Sequence, residues 1–465
     1  MSKQLSSGVR AAARMLVPLV LLAGCSDANP VSVEAGGAAL SVTSREAKQL
    51  ARELRLLASQ RGIGPMPARP EVRDGLRNLG QMLVFDKILS GNRDISCMTC
   101  HHPDLALGDG RSQAIGQGAT GLGLARKHPT DAFIPRNAPP LFNLHLLDNL
   151  FWDGRVSVDA AGGFHTPAGG QLTPDMAAVF EFGAVSALGL FPVLSREEMR
   201  GLPGENELAD IADTDMRDVW AAAMRRLGAI PRYRELFEDA YPGTQFDDMS
   251  FAHASNAMAG FFVAAFVSED APWDRFLAGN DGALTSEQVA GAMKFMNAPC
   301  AQCHNGPGFS DDDFHNVALA QFGFGQGNGA SGRDDFGRMN VTGNPADIYR
   351  FRSTMLRNVE LTAPYGHAGE FEDLGLFIDH YSRSADKLLA YSAADVPEPL
   401  LSGTLLEENK DAIILSRDVL ILPVAFDEVF VREVTAFMLA LTGQTSRDLS
   451  RFTPRKVPSG LPVDR

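Results

Sequence analysis

The strings Cys97-Met98-Thr99-Cys100-His101 and Cys300-Ala301-Gln302-Cys303-His304 decide how this chain is read. Each sets two thiols on one short turn, with a histidine directly after the second. Two thioether bonds to the vinyl groups of one porphyrin need that spacing, and the histidine then swings under the ring to ligate iron. A zinc site would need two such pairs converging, and a redox pair would not need the following histidine. The pattern predicts two covalently bound c-type haems, attached at Cys97, Cys100, Cys300 and Cys303, with His101 and His304 as iron ligands.

Working outward, the fifth cysteine belongs to the N-terminus. Lys3, Arg10 and Arg14 form a basic lead, followed by an apolar run from Met15 to Leu22 and the small residues Ala23 and Gly24. That run is too short for a mature membrane span and reads as an export signal over residues 1–25. Leu22-Ala23-Gly24-Cys25 resembles a bacterial lipobox, in which Cys25 becomes the lipidated first residue; plain secretion with an incidental cysteine is the alternative. Residues 26–43 are small and polar, which suits a flexible tether. The expected location is the periplasm, with membrane contact only through the lipid. Every cysteine then has a use, and no disulfide is expected.

A chain of 465 residues with 45% hydrophobic and 21% charged residues suits a soluble globular protein of two domains. Its 45 glycines and 27 prolines predict many turns and long loops. The formal net charge of −15 argues against nucleic acid as a partner and for a basic soluble electron donor.

Apolar spacings of three and four predict helices over 44–62 and 72–85, leading to the first motif. A Gly-rich stretch runs from Gly108 to Pro140, and Gly162 to Gly183 reads as a loop insertion. Helices are expected near 215–227 and 249–267. Thr285 and Gln288 form a capping box opening a helix into the second motif, and Phe430, Val434, Phe437 and Leu441 mark another that Gly443 stops. No run alternates with period two. The expected fold class is all-α: two cytochrome c-type haem domains with long loops, at 44–278 and 279–450.

From Gly75 to Gly443 the chain resembles the bacterial di-haem cytochrome c peroxidases and their MauG-like relatives. The resemblance rests on Leu79-Gly80-Gln81-Met82-Leu83-Val84-Phe85-Asp86, Arg136-Asn137-Ala138-Pro139-Pro140, Phe151-Trp152-Asp153-Gly154-Arg155, Leu356-Arg357-Asn358 and Thr362-Ala363-Pro364-Tyr365-Gly366-His367. It implies that His101 serves a peroxide-reactive haem and His304 an electron-entry haem. It also implies a calcium ion between the domains, held by Asn137, Thr362 and Pro364, and a tryptophan between the haems, here Trp152. Taken alone, Asn137 reads as a turn residue and Trp152 as a core aromatic.

The resemblance further distinguishes the sixth iron ligands. Ordinary family peroxidases place a methionine on the second haem; MauG-like members place a tyrosine, and the position falls on Tyr381. A phenolate favours oxidised iron and lowers the potential. His380 or a methionine is the alternative ligand. Glu198, six residues after Pro192, matches the family's acid/base glutamate, with Glu197 as its rival. Leu188 stands where the family has glutamine. His128 lies near the place of a removable histidine ligand that gates the first haem in some relatives, one residue further than expected; the alternative is a loop histidine. His102, His165, His315 and His380 receive no role.

Three functions follow: a peroxidase reducing hydrogen peroxide with electrons from a small c-type cytochrome or cupredoxin; a MauG-like oxidase acting on a protein or small molecule; and a non-enzymatic electron-transfer cytochrome. Glu198 and the lack of a clear second ligand on the first haem argue against the last.

Overall fold

The chain's architecture repeats one device twice: a helix that leads into a haem motif and packs across a later helix at a glycine. The computed structural model describes residues 44–130, 132–421 and 425–465. The leader, Cys25 and the tether lie outside the described residues. The helices used below are α1 (Ser44–Gln60), α2 (Asp74–Phe85), α3 (Met216–Gly228), α4 (Pro231–Ala240), α5 (Phe251–Ala265), α6 (Ser286–Asn297), α7 (Leu374–His380) and α8 (Glu428–Leu439).

α2 buries Leu76, Leu79, Leu83 and Val84 on one face, at the spacing that makes it legible as a helix. It crosses α5 so closely that a Cβ on Gly80 would lie 1.9 Å from the Ala257 carbonyl oxygen. α6 leads into the second motif and crosses α8 the same way, with a Cβ on Gly291 falling 1.8 Å from the Glu433 carbonyl oxygen. Only a residue without a side chain lets the backbones approach so far. The two crossings seed separate apolar cores. One gathers α2 to α5 around Met98; the other gathers α6, α8, Trp273 and Phe309 around Ala301. A third cluster under the long loops contains Ile115, Phe133, Phe322, Tyr349 and Tyr391.

The capping box at Thr285 forms as expected, with Thr285 N donating to Gln288 Oε1 at 2.9 Å and Gln288 N to Thr285 Oγ1 at 3.2 Å. α8 stops at Leu439, before Gly443, whose N–H donates instead to Asn358 Oδ1 at 2.9 Å. The described chain is mostly helical with little strand. Strands β1 (Asn149–Leu150), β2 (Val156–Val158) and β3 (Phe164–His165) form an antiparallel sheet in that order. β4 (Phe314–His315) and β5 (Phe351–Arg352) form a second. Strands of two or three residues are too short for alternation to register in a sequence. The segment read as a loop insertion accordingly carries β3 and a short helix, Pro174–Ala177.

The first described helix and the C-terminal tail each cross to the other core. α1 contributes Ala51, Leu54 and Ala58 to the second core. The C-terminal tail returns to the first, where Leu449 and Val457 are buried, Lys87 pairs with Asp464 at 2.6 Å, and Ser459 Oγ donates to Asp86 at 2.6 Å. Among the described residues no helix is long and apolar enough to cross a membrane.

Candidate haem sites and the segment between them

Each motif folds as a single helical turn, Cys97–Cys100 and Cys300–Cys303. Ser96 and Thr99 cap the first, with Ser96 N donating to Thr99 Oγ1 at 2.9 Å. Both motif histidines are held alike. His101 Nδ1 lies 3.0 Å from the Leu107 carbonyl and His304 Nδ1 lies 3.1 Å from the Phe309 carbonyl. A ring that donates from Nδ1 keeps its Nε2 lone pair for a metal, and burial lowers the pKa of both rings, favouring that neutral form.

The thiols test the haem reading directly. All four are half-buried and none is paired as a disulfide. Burial pushes Cys97 up to about 12 and Cys300 to about 11, and raises Cys100 as well. A redox-active or zinc-binding pair needs thiolates stabilised by its surroundings, the opposite of what is found. Thioether formation removes the proton altogether, so the residues present fit covalent haem.

Around the second motif lies a large, mainly apolar cavity. Cys300, Cys303 and His304 line it, and so does Tyr381, at the end of α7. Burial in this cavity, close to Cys303 and Cys300, raises the Tyr381 phenol pKa. His380, the rival, turns away: its Nε2 is 2.9 Å from the Val317 carbonyl.

Around the first motif the chain brings in Glu198. The turn Arg196–Arg200 is capped by Ser195, whose Oγ accepts from Glu198 N at 3.2 Å. This turn rests on the Gly-rich stretch: Gln117 N donates to the Glu197 carbonyl at 3.2 Å, and a Cβ on Gly116 would lie 1.8 Å from that oxygen. Glu198 is half-buried and close enough to Cys97 and Cys100 for its charge to raise both thiols, whereas Glu197 is exposed. Burial raises the Glu198 pKa, Arg155 opposes it and Glu197 adds to it; the net shift is upward. Leu188 is half-buried at the end of a short helix, Ala184–Leu188. His128 lies on the same Gly-rich stretch, where its Nδ1 accepts from Thr130 N at 3.1 Å and its Nε2 packs against Gly118.

Between the motifs, Trp152 lies in the turn joining β1 and β2 and lines the second cavity. Its indole Nε1 donates to the Asn137 carbonyl at 2.8 Å. Asn137 Nδ2 donates to the Arg111 carbonyl at 2.8 Å, which leaves the amide oxygen for another partner. Thr362 and Pro364 line the same cavity as Asn137.

Two features here escape sequence reading. Arg136 is buried between Asp153, at 2.6 Å, and Asp335, at 2.7 Å. Asp335 lies in a glycine-rich loop with no motif of its own, so no local signal points to it. His315 has a carboxylate on each ring nitrogen, Asp418 at 2.8 Å and Asp311 at 2.9 Å. Burial opposes its charge, yet Asp311 and Asp418 raise its pKa and favour the protonated ring.

Comparison with known proteins agrees with this geometry. Residues 75–282 match the family model described as di-haem cytochrome c peroxidase. The chain is 31% identical over 304 residues to cytochrome c551 peroxidase of Pseudomonas aeruginosa, covering 64% of this chain and 69% of that protein. It is 29% identical over 310 residues to the methylamine utilization protein MauG of Methylorubrum extorquens, covering 66% and 69%. Among solved structures, a MauG-like protein associated with microbial copper homeostasis superposes with a TM-score of 0.58 at 24% identity, covering 84% of this chain and 95% of that one. The di-haem peroxidase BthA of Burkholderia thailandensis gives 0.55 at 18%, covering 87% and 95%. The last two likenesses speak to fold alone.

Proposed function

The chain belongs to the di-haem cytochrome c peroxidase family, oxidoreductases that act on peroxide, and from that premise we propose how its own residues divide the work. With a haem held by Cys97, Cys100 and His101, hydrogen peroxide would be reduced there, taking up two electrons and two protons and leaving as two waters. The electrons would come from a small c-type cytochrome or cupredoxin and enter where Cys300, Cys303 and His304 would hold the second haem. The observation that carries this reading is Glu198, a half-buried carboxylate with raised proton affinity beside Cys97 and Cys100.

When bound, the haem irons supply the redox chemistry. The rest falls to side chains. Glu198 takes the proton from the peroxide oxygen nearer the metal and returns it to the farther one, which then leaves as water. A carboxylate whose proton affinity is raised by burial is suited to both halves of that transfer. His101 and His304 offer Nε2, each ring oriented by a backbone carbonyl. Trp152, fixed through its indole N–H, offers an oxidisable ring between the two motifs. Residues 44–278 and 279–450 form the two haem domains in this reading, with α1 and Trp273 lent to the second core and the C-terminal tail to the first. Calcium, if bound, is held by oxygens of Asn137, Thr362 and Pro364; with no carboxylate among them, water must complete the shell. His128 is proposed as a removable cover for the first haem. Export to the periplasm with Cys25 as the lipid anchor rests on the leader sequence.

A second reading, MauG-like oxidation of a protein or small molecule, is favoured by Tyr381 in the second cavity beside Cys300 and Cys303. Peroxide titration of the purified protein, followed by absorption and EPR, separates the two. Rapid turnover with a reduced cytochrome is expected for the peroxidase. A long-lived two-electron-oxidised state without turnover marks the second reading, and inertness of the oxidised and half-reduced protein overturns both. Replacing Tyr381→Phe is expected to change the spectrum of the second haem only; an unchanged spectrum removes Tyr381 as a ligand.

A further inference from the structure

The turn that carries Trp152 also carries Arg155, and the two side chains serve different sites. Arg155 is held on two sides. Its backbone N–H donates to Asp153 Oδ1 at 3.1 Å and its Nη1 to Asp153 Oδ2 at 3.3 Å. Its guanidinium carbon sits 3.9 Å from the centre of the Phe151 ring, a cation–π contact that fixes the plane of the group. The remaining arm, Nη2, reaches to 3.9 Å from Glu198 Oε1.

Asp153 is itself anchored from behind. Arg136 Nη1 donates to Asp153 Oδ2 at 2.6 Å, and the rest of the Arg136 fork takes Asp335 in a bidentate pair at 2.7 and 2.9 Å. Arg136, Asp153 and Asp335 are all buried. Asp335, Arg136, Asp153, Arg155 and Glu198 therefore form one line of alternating charge, running from the glycine-rich loop of the second half to the first haem motif. Without Glu198 the line is neutral. Its ionised carboxylate adds the one further negative charge, and Arg155 is the cation that meets it.

We propose that Arg155 is the positioning residue of Glu198: its charge holds that carboxylate beside the first haem motif and favours the form that takes the peroxide proton. The inference rests on the role given to Glu198 above. The other groups that face Glu198 cannot do this. Glu197 carries the same charge, Ser195 is neutral, and Cys97 and Cys100 are consumed by haem attachment. Arg196 and Arg200, on the same turn, are both committed to Asp213. At 3.9 Å the contact is an ion pair without a close hydrogen bond, which leaves Glu198 free to exchange its proton while feeling the charge.

The test uses the haem-loaded protein and two readouts taken across pH: cyanide binding to the oxidised form, which involves no turnover, and the second-order rate of reaction with hydrogen peroxide. Arg155→Met keeps the stem and removes the charge. The pH below which both readouts fall is expected to rise by about one unit, giving ~tenfold loss on the acid side and recovery at higher pH. Arg155→Lys should restore most of the native profile. Arg155→Gln repeats the test should the methionine variant fail to accumulate with both haems. A native pH profile in the uncharged variants overturns the proposal, as does an equal loss at every pH. Glu198→Gln separates the two layers of the argument. If it reacts with peroxide as the native protein does, the reading of Glu198 itself fails. If it is impaired while Arg155→Met behaves as native, only the role of Arg155 fails.

Discussion

Glu198 owes its proton affinity to opposing effects of unequal size: burial and the Glu197 charge raise it, and Arg155 lowers it less than they raise it. In the proposed role the group is the base only when ionised, so the peroxide reaction is expected to fall as pH drops through its raised pKa, a limb that stopped-flow rates across pH would locate. Glu198→Gln should slow that reaction by roughly 10²–10⁴-fold while the absorption of both haems stays native. Tyr381 differs in that no neighbour opposes burial, so its phenol resists ionisation in the apolar cavity. Both residues are legible in the sequence only by their distance from matched strings. Nothing in Ser195-Arg196-Glu197-Glu198 says which carboxylate turns inward; the capped turn over Gly116 decides it.

At the scale of elements, the helix that precedes each haem motif matters through one glycine. Gly80→Ala and Gly291→Ala each force a methyl group against a backbone carbonyl that cannot retreat without parting the helices. Each should destabilise by about 1–3 kcal/mol, the usual cost of overpacking, read as a lowered midpoint in denaturant. The two should differ in site: Gly80→Ala loosens the first haem and Gly291→Ala the second, separable by their absorption and EPR signals. Apolar spacing alone makes α2, α6 and α8 readable as helices in the sequence. The glycines within them carry no such signal, since Gly in a helix otherwise reads only as a weak helix former.

The whole molecule is tied together by pairs far apart in sequence. Arg136 joins Asp153 to Asp335 in a buried cluster, and removing one partner leaves charge uncompensated. Asp335→Asn is therefore expected to cost ~3–5 kcal/mol of stability, measured by chemical unfolding. Burial alone would raise both aspartates, but Arg136 pulls them below the ordinary range. Their contribution is fully present above the unfolded-state carboxylate pKa and is lost as pH falls through the depressed folded values, so acid unfolding of the native protein should begin below that of Asp335→Asn. The C-terminal tail is a second tie. Deleting residues 455–465 removes the Lys87–Asp464 and Asp86–Ser459 contacts. The first haem should become more accessible to cyanide while the second keeps its spectrum.

The two motifs, their thiols and their histidines are fixed locally, because the haem attachment proposed there needs two thiols and a histidine within five consecutive residues. The main helices are fixed nearly as locally, by apolar spacing over a few turns. What the string leaves open are matters of meeting: which glutamate faces the first motif, that Tyr381 rather than His380 turns into the second cavity, that α1 joins the second core, and that Asp335 closes on Arg136 across 199 positions. Such choices depend on side chains from distant segments sharing one buried volume, where desolvation makes each charge need its partner. A linear string does not record which segments share that volume; the folded chain does.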